Sequence, residues 1–209
     1  MDIDVLRYIG AVTRSVEARE HEGHPARVVV ATCTYDTTLA DLWDAITNAD
    51  RIPRWFLPIS GDLRVGGRYQ LQGNASGQIT TCEPPHALAV TWEFAKQVTW
   101  VDVRLTSLSD GGAQLRLEHI VPVDDHWNQY GAGAVGVGWD LTLVGLERHV
   151  AGSAGLAPEQ AVEWLASPNG KDFMRQSSDD WRRAAVAGGT EPAAAREQAR
   201  QTNIAYMGE

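Results

Sequence analysis

Cysteine is nearly absent: Cys33 and Cys82 are the whole supply in 209 residues. Both fall in strand-like stretches, far from any metal-ligand spacing. Two such thiols without a secretion signal read as reduced, intracellular residues. Basic runs are lacking as well. The longest is the pair Arg182–Arg183, and a formal net charge of −9 repels phosphate backbones, which excludes nucleic acid as a partner. No apolar run approaches the roughly 20 residues that a membrane helix needs. The opening Met1–Asp2–Ile3–Asp4 is acidic where a signal peptide is basic. These absences predict a cytoplasmic protein with no membrane span. Phenylalanine is scarce at three residues, whereas tryptophan reaches eight. Indole is large and carries one N–H donor, so it suits interfaces and pockets where one edge meets a polar partner.

Catalytic signatures are missing too. There is no Gly-x-Ser-x-Gly elbow, and neither cysteine has a histidine partner in sequence. Glu83 and Glu93 are the acids nearest the inward strand faces, and Glu93 has outward parity. Nothing compels an enzyme. Asp124–Asp125–His126 offers metal donors, but adjacent residues seldom converge on one ion, and an aspartate there suits a helix cap. Gly131–Ala132–Gly133–Ala134–Val135–Gly136 matches G-x-G-x-x-G. That pattern binds dinucleotides only inside a parallel βαβ unit, and an antiparallel meander precedes it here. The structural alternative is a flexible hinge leading into a helix. No cofactor and no metal site are expected.

What is present reads as an ordered series of elements. Val12, Val16 and Ala18 alternate with polar residues, and Glu22–Gly23–His24–Pro25 supplies a turn before the β-prone run Arg27 to Tyr35. Asp36, Thr37 or Thr38 caps a helix carrying Leu39, Leu42, Trp43 and Ile46, which ends near Asn48, with Trp43 as core packing. A short turn then holds Arg54–Trp55–Phe56. From Gly61 to Val121 short strands follow one another, with Gly73 to Gly77 as a separating loop. Parity puts Leu88, Val90, Trp92 and Phe94 on one face with Val101, Val103, Leu105, Leu115, Leu117 and His119. Trp139, Leu143, Leu146 and Val150 form a helical stripe that covers an apolar sheet. Further helices begin near Pro158, Pro168 and Thr190, anchored by Trp164, Phe173, Met174 and Trp181.

Six motifs stand in a familiar order: Leu42–Trp43–Asp44–Ala45–Ile46–Thr47, Arg54–Trp55–Phe56, Gly66–Gly67–Arg68–Tyr69, Cys82–Glu83–Pro84–Pro85, Val90–Thr91–Trp92–Glu93 and Leu115–Arg116–Leu117–Glu118–His119. Together they resemble the START-like (SRPBCC, helix-grip) superfamily, in its branch named for the C-terminal domain of the heat-shock-protein-90 ATPase activator. The resemblance covers roughly Ala26 to Val150. It implies an α+β helix-grip fold, a curved antiparallel sheet wrapped around a long C-terminal helix with a cavity between them. On that reading residues 1–25 are an N-terminal strand extension, 26–152 the helix-grip domain and 153–209 a helical C-terminal extension. The extension must bury its large apolar groups near the cavity mouth and the extra strand, with a homodimer as the alternative.

The expected function is binding or sequestration of a small hydrophobic molecule. The expected wall is Phe56, Tyr69, Ile79, Trp92, Phe94, Val103, His119, Tyr130, Trp139 and Leu143. His119 reads either as a core residue satisfied by one hydrogen bond or as a pocket group that orients a ligand. The rival readings are a cavity enzyme of cyclase or hydrolase type with His119 as acid–base, and a co-chaperone-like interaction protein.

Overall fold

The computed structural model describes residues 4–153 and 158–208. Its sheet starts as a hairpin. β1 (Thr13–His21) and β2 (His24–Tyr35) are joined by Glu22 and Gly23, both at positive φ (51° and 78°). Two left-handed residues match the right-handed strand twist, so a two-residue turn suffices. A short helix not expected from the sequence, α1 (Val5–Gly10), precedes them; Asp4 caps it by accepting from the Arg7 N–H.

α2 (Leu39–Thr47) is capped by Thr38, whose hydroxyl accepts from the Asp41 N–H at 3.2 Å. Leu42 and Ala45 are the residues it buries; Trp43, expected in the core, is only half-buried. A single 3-10 turn at Ile52–Arg54 leads to β3 (Ile59–Gly61) and β4 (Arg68–Leu71). β5 (Ser76–Glu83), β6 (Ala87–Phe94), β7 (Gln97–Ser107) and β8 (Ala113–Pro122) complete an eight-stranded antiparallel sheet of order β1-β2-β8-β7-β6-β5-β4-β3. This is the expected α+β helix-grip architecture. Ser76 and Gly77, read from sequence as loop, open β5 and pair with Gln70 and Tyr69. The register pairs Leu88 with Val103, Val90 with Val101 and Trp92 with Thr99, so the apolar parity of neighbouring strands falls on one face.

The hairpin between β6 and β7 turns through Ala95 and Lys96 at φ 49° and 68°. Neither is glycine or asparagine, and each left-handed L-residue costs roughly 1–2 kcal/mol. Lys96→Gly is therefore expected to raise stability by about 1 kcal/mol in urea denaturation, with no change in the slope of the transition. An unchanged midpoint would show that the turn carries no strain.

After β8, Asp124 caps α3 (Asp125–Tyr130) by accepting from the Trp127 N–H at 2.9 Å, the role expected for it. The long helix α4 (Gly133–Val150) follows, then α5 (Pro158–Ala166), α6 (Pro168–Ala187) and α7 (Pro192–Met207). By contacts the chain divides into two units, one of Met1–Ala31, Ile120–Leu141 and Leu156–Glu209, the other of Thr32–His119 and Thr142–Gly155. In the first unit, α6 packs on β1, α5, α7 and α1, and α7 packs on α3. Trp164, Phe173, Met174 and Trp181 are all buried there, so the extension hides its large apolar groups within the chain itself. α6 leaves β1 at Gly188, where a Cβ would stand 2.1 Å from the Val16 carbonyl oxygen.

The glycine-rich pattern is a packing seam and not the expected hinge. Gly131 closes α3, and Gly136 lies inside α4, where a Cβ would sit 2.5 Å from the Trp181 ring. Close helix approach, with no flexibility required, accounts for these glycines. Among the described residues no helix is long and apolar enough to cross a membrane, and no group of three or more His, Cys, Asp or Glu could hold a metal ion.

Candidate functional site

The second unit concentrates its apolar side chains on one sheet face. Tyr69, Leu71 and Ile79 form a buried cluster, and Phe56, Leu57, Ile59, Cys82, Leu88, Val90 and Trp92 pack against it. Four of the expected wall residues, Phe56, Tyr69, Ile79 and Trp92, are thus brought together. Val103 stands across from Leu88 on the same face and is half-buried. Leu143 is buried on the part of α4 that belongs to this unit. Phe94 has the expected parity but ends its strand beside the turn and is 53% exposed. Tyr130 and Trp139 belong to the other unit, where both are half-buried and the Tyr130 ring lies tilted against His126, centroids 4.9 Å apart. Leu57, Leu71, Leu88 and Val90 were not singled out from sequence as wall residues; for Leu88 and Val90 the shared parity with Trp92 was the available signal.

Two polar groups interrupt this surface. Tyr69 lies opposite Gly77 and donates its hydroxyl to the Thr91 carbonyl at 2.8 Å. Gly77 is required there, because a Cβ would fall 1.9 Å from that same carbonyl oxygen. Burial, assisted by Glu93, raises the Tyr69 pKa and keeps the phenol protonated. Glu93 itself points the other way, as its outward parity predicts, and pairs with Arg68 at 2.6 Å on the exposed side.

His119 is the second. Its ring lies 6.1 Å from that of Trp92, and its Nε2 lies 2.7 Å from the Thr99 hydroxyl. That hydroxyl has one proton and donates it to the Trp92 carbonyl at 3.1 Å. Nε2 must then carry the imidazole proton, which assigns the tautomer. Burial pushes the His119 pKa down to about 3, so the ring is neutral at pH 7. Thr99 had no assigned role from sequence, yet it shares the parity of Val101 and Val103 and holds the histidine.

Comparison with known proteins bears on the family and the fold. The family described as Activator of Hsp90 ATPase homolog 1-like protein matches residues 36–151. The crystal structure of CalU16 from Micromonospora echinospora is 32% identical, with a TM-score of 0.68, over 86% of this chain and 99% of CalU16. A solution structure of CalU16 is similar, at 33% identity and TM-score 0.70, covering 86% and 97%. This shared length exceeds the residues 36–151 that the family matches. An Hsp90 activator from Plasmodium falciparum matches at 24% identity and TM-score 0.52, over 60% of this chain and 96% of that one, and shows the fold alone. Among curated proteins nothing matches.

Proposed function

Given that the chain belongs to the family of Activator of Hsp90 ATPase homolog 1-like proteins, we propose that residues 26–152 bind a small, uncharged hydrophobic molecule against a wall made of Tyr69, Ile79, Trp92, Val103 and His119 of the sheet, Phe56 of the segment after the 3-10 turn and Leu143 of α4. The observation that carries this reading is the absence of charge from that wall. Tyr69 is held protonated and His119 neutral, and the remaining members are apolar. An ionised ligand would lose its hydration without gaining a partner, whereas an apolar one gains roughly 25 cal/mol per Å² removed from water. Tyr69 and His119 orient the ligand. The cyclase-type alternative asks His119 to act as a general base, and a pKa of about 3 makes it a poor one at neutral pH.

An apolar fluorescent probe titrated at neutral pH, together with native mass spectrometry of gently purified protein, tests the reading. The expected result is saturable probe binding, weakened about tenfold by Trp92→Leu, since losing an aromatic anchor typically costs more than 1 kcal/mol. Absence of both probe binding and a retained small molecule would overturn it.

A further inference from the structure

Phe56 and Leu57 reach the apolar cluster from a segment whose other end is tied to α4 by one histidine. Arg51 stands at the head of that segment. Its Nη1 donates to Asp41 and Asp44 of α2, both at 2.9 Å, and its Nε donates to Nε2 of His149 at 3.2 Å. A guanidinium can only donate, so the bond exists only while His149 is neutral, with its proton on Nδ1. Four residues earlier in α4, Gly145 sits so close to the segment that a Cβ would lie 2.4 Å from the Trp55 carbonyl oxygen. Trp55 in turn donates its indole N–H to the Ala45 carbonyl of α2 at 3.0 Å and stacks on Phe56, ring centroids 5.7 Å apart. Phe56 and Leu57 then pack on Tyr69, Leu71 and Ile79. A continuous path runs from the His149 imidazole through Arg51 and the 3-10 turn to the wall of the site.

We propose that the Arg51–His149 hydrogen bond is a pH-sensitive latch, and that protonation of His149 frees α2 and residues 51–57 from α4 and opens the ligand site. This rests on the ligand-binding reading given above. Protonation removes the lone pair that Arg51 uses and sets two cations against each other. Arg51 keeps Asp41 and Asp44, so α2 and the segment part from α4 together. The imidazolium, in the last turn of α4, is left with the helix C-terminal carbonyls, which favour a cation. The charged groups acting on His149 are Arg51 and Arg54 from the turn and Asp41 from α2, with Arg148 adjacent on α4 and Asp44 one step away on Arg51. Burial, then Arg51 and Arg54, hold the imidazole below its usual pKa, against the opposing pull of Asp41. A base with a depressed folded pKa is neutral in the latched state and takes up its proton more readily when unlatched, so the latch weakens as pH falls below about 6.5.

Two readouts on the full chain test this, with His149→Gln, whose amide oxygen accepts from Arg51 at any pH, and His149→Lys, a permanent cation. The first is hydrogen exchange of residues 51–57 in ligand-free protein, corrected for intrinsic rates, between about pH 7.5 and about pH 5. The second is the dissociation rate of the apolar probe. In the wild type both exchange and dissociation should rise on acidification, on the order of tenfold for each pKa unit by which the fold depresses the imidazole. The glutamine variant should stay slow at both pH values and the lysine variant fast at both. The same acid response in the glutamine variant, or a wild type that does not respond, overturns the latch. Exchange needs no ligand. A probe that never binds therefore defeats the proposed function while the latch is still decided, and bound probe with pH-invariant exchange defeats the latch alone.

Discussion

Stability should fall as pH drops below about 6.5, and His119 should account for much of the loss. The imidazole has a pKa of about 3 in the folded protein and about 6.5 in the unfolded chain. Its folded pKa is depressed, so between those values the unfolded state binds a proton that the native state refuses. The native state is then disfavoured by up to about 1.4 kcal/mol for each pH unit below 6.5, roughly 2–3 kcal/mol at about pH 4.5. His119→Gln keeps a donor for the Thr99 hydroxyl and removes the titration. At neutral pH the variant should be less stable by about 1–3 kcal/mol, the cost of disturbing a buried hydrogen bond. On acidification it should lose roughly 2–3 kcal/mol less than the wild type, so the two stability curves converge near pH 5. Urea denaturation of both proteins across this range is the measurement. His149 and the surface carboxylates titrate alike in both and cancel. Parallel curves would mean that His119 is not the buried neutral base described above.

Replacing Arg14 should cost still more. Arg14 projects from β1 into the first unit, its side chain 5% exposed, where Nε donates to Asp140 at 3.0 Å and Nη1 donates to the Ile9 and Val12 carbonyls and to Asp180. Asp140, 1% exposed on α4, also accepts from the Ser177 hydroxyl at 2.5 Å and the Trp181 indole at 3.1 Å. Burial raises the Asp140 pKa, while Arg14, Ser177 and Trp181 pull against it. Arg14→Met removes the cation that pairs with this carboxylate among the described residues. Breaking one side of a buried pair costs about 3–5 kcal/mol, because the other charge stays buried. In a chain of this size that lowers the thermal midpoint by roughly 10 °C. Asp140→Leu alone should be similarly harmful, and the double variant clearly less so than the sum, since neither charge is then stranded. A single Arg14→Met variant within about 1 kcal/mol of wild type would mean that the pair does not tie β1 to α4 and α6.

How far these features were legible depends on the distance over which each is decided. Alternation is written locally. Leu88, Val90 and Trp92 announce their shared face two residues at a time, and the observed register with Val103, Val101 and Thr99 follows it. Helix caps are local as well, so an aspartate cap at Asp124 was expected and Thr38 stood among three candidates for the first helix. Tyr69, Ile79 and Trp92 of the ten expected wall residues meet in the apolar cluster as strand residues, and Phe56 joins them from the segment after the 3-10 turn. α1 and β3, of six and three residues, are too short for any period to register. Parity also says nothing about where a sheet face ends, and Phe94 is on the correct face yet in water.

Composition, alternation and motif order by themselves determined the fold class, the sheet's apolar face and the four aromatic and methionine anchors of the extension. The tertiary structure alone decided which polar groups meet inside. Arg14 finds Asp140 across 126 residues, Arg51 finds His149 across 98, and His119 finds Thr99 across 20. The glycines of the seam face Gln198, Thr202 and Trp181 from far along the chain. Burial period is imposed on each element by its own repeat, 2.0 or 3.6 residues, and so survives in the linear text. A hydrogen-bond partner is chosen by register, helix approach and the cost of leaving a buried polar atom alone, and none of these exists until the elements have packed.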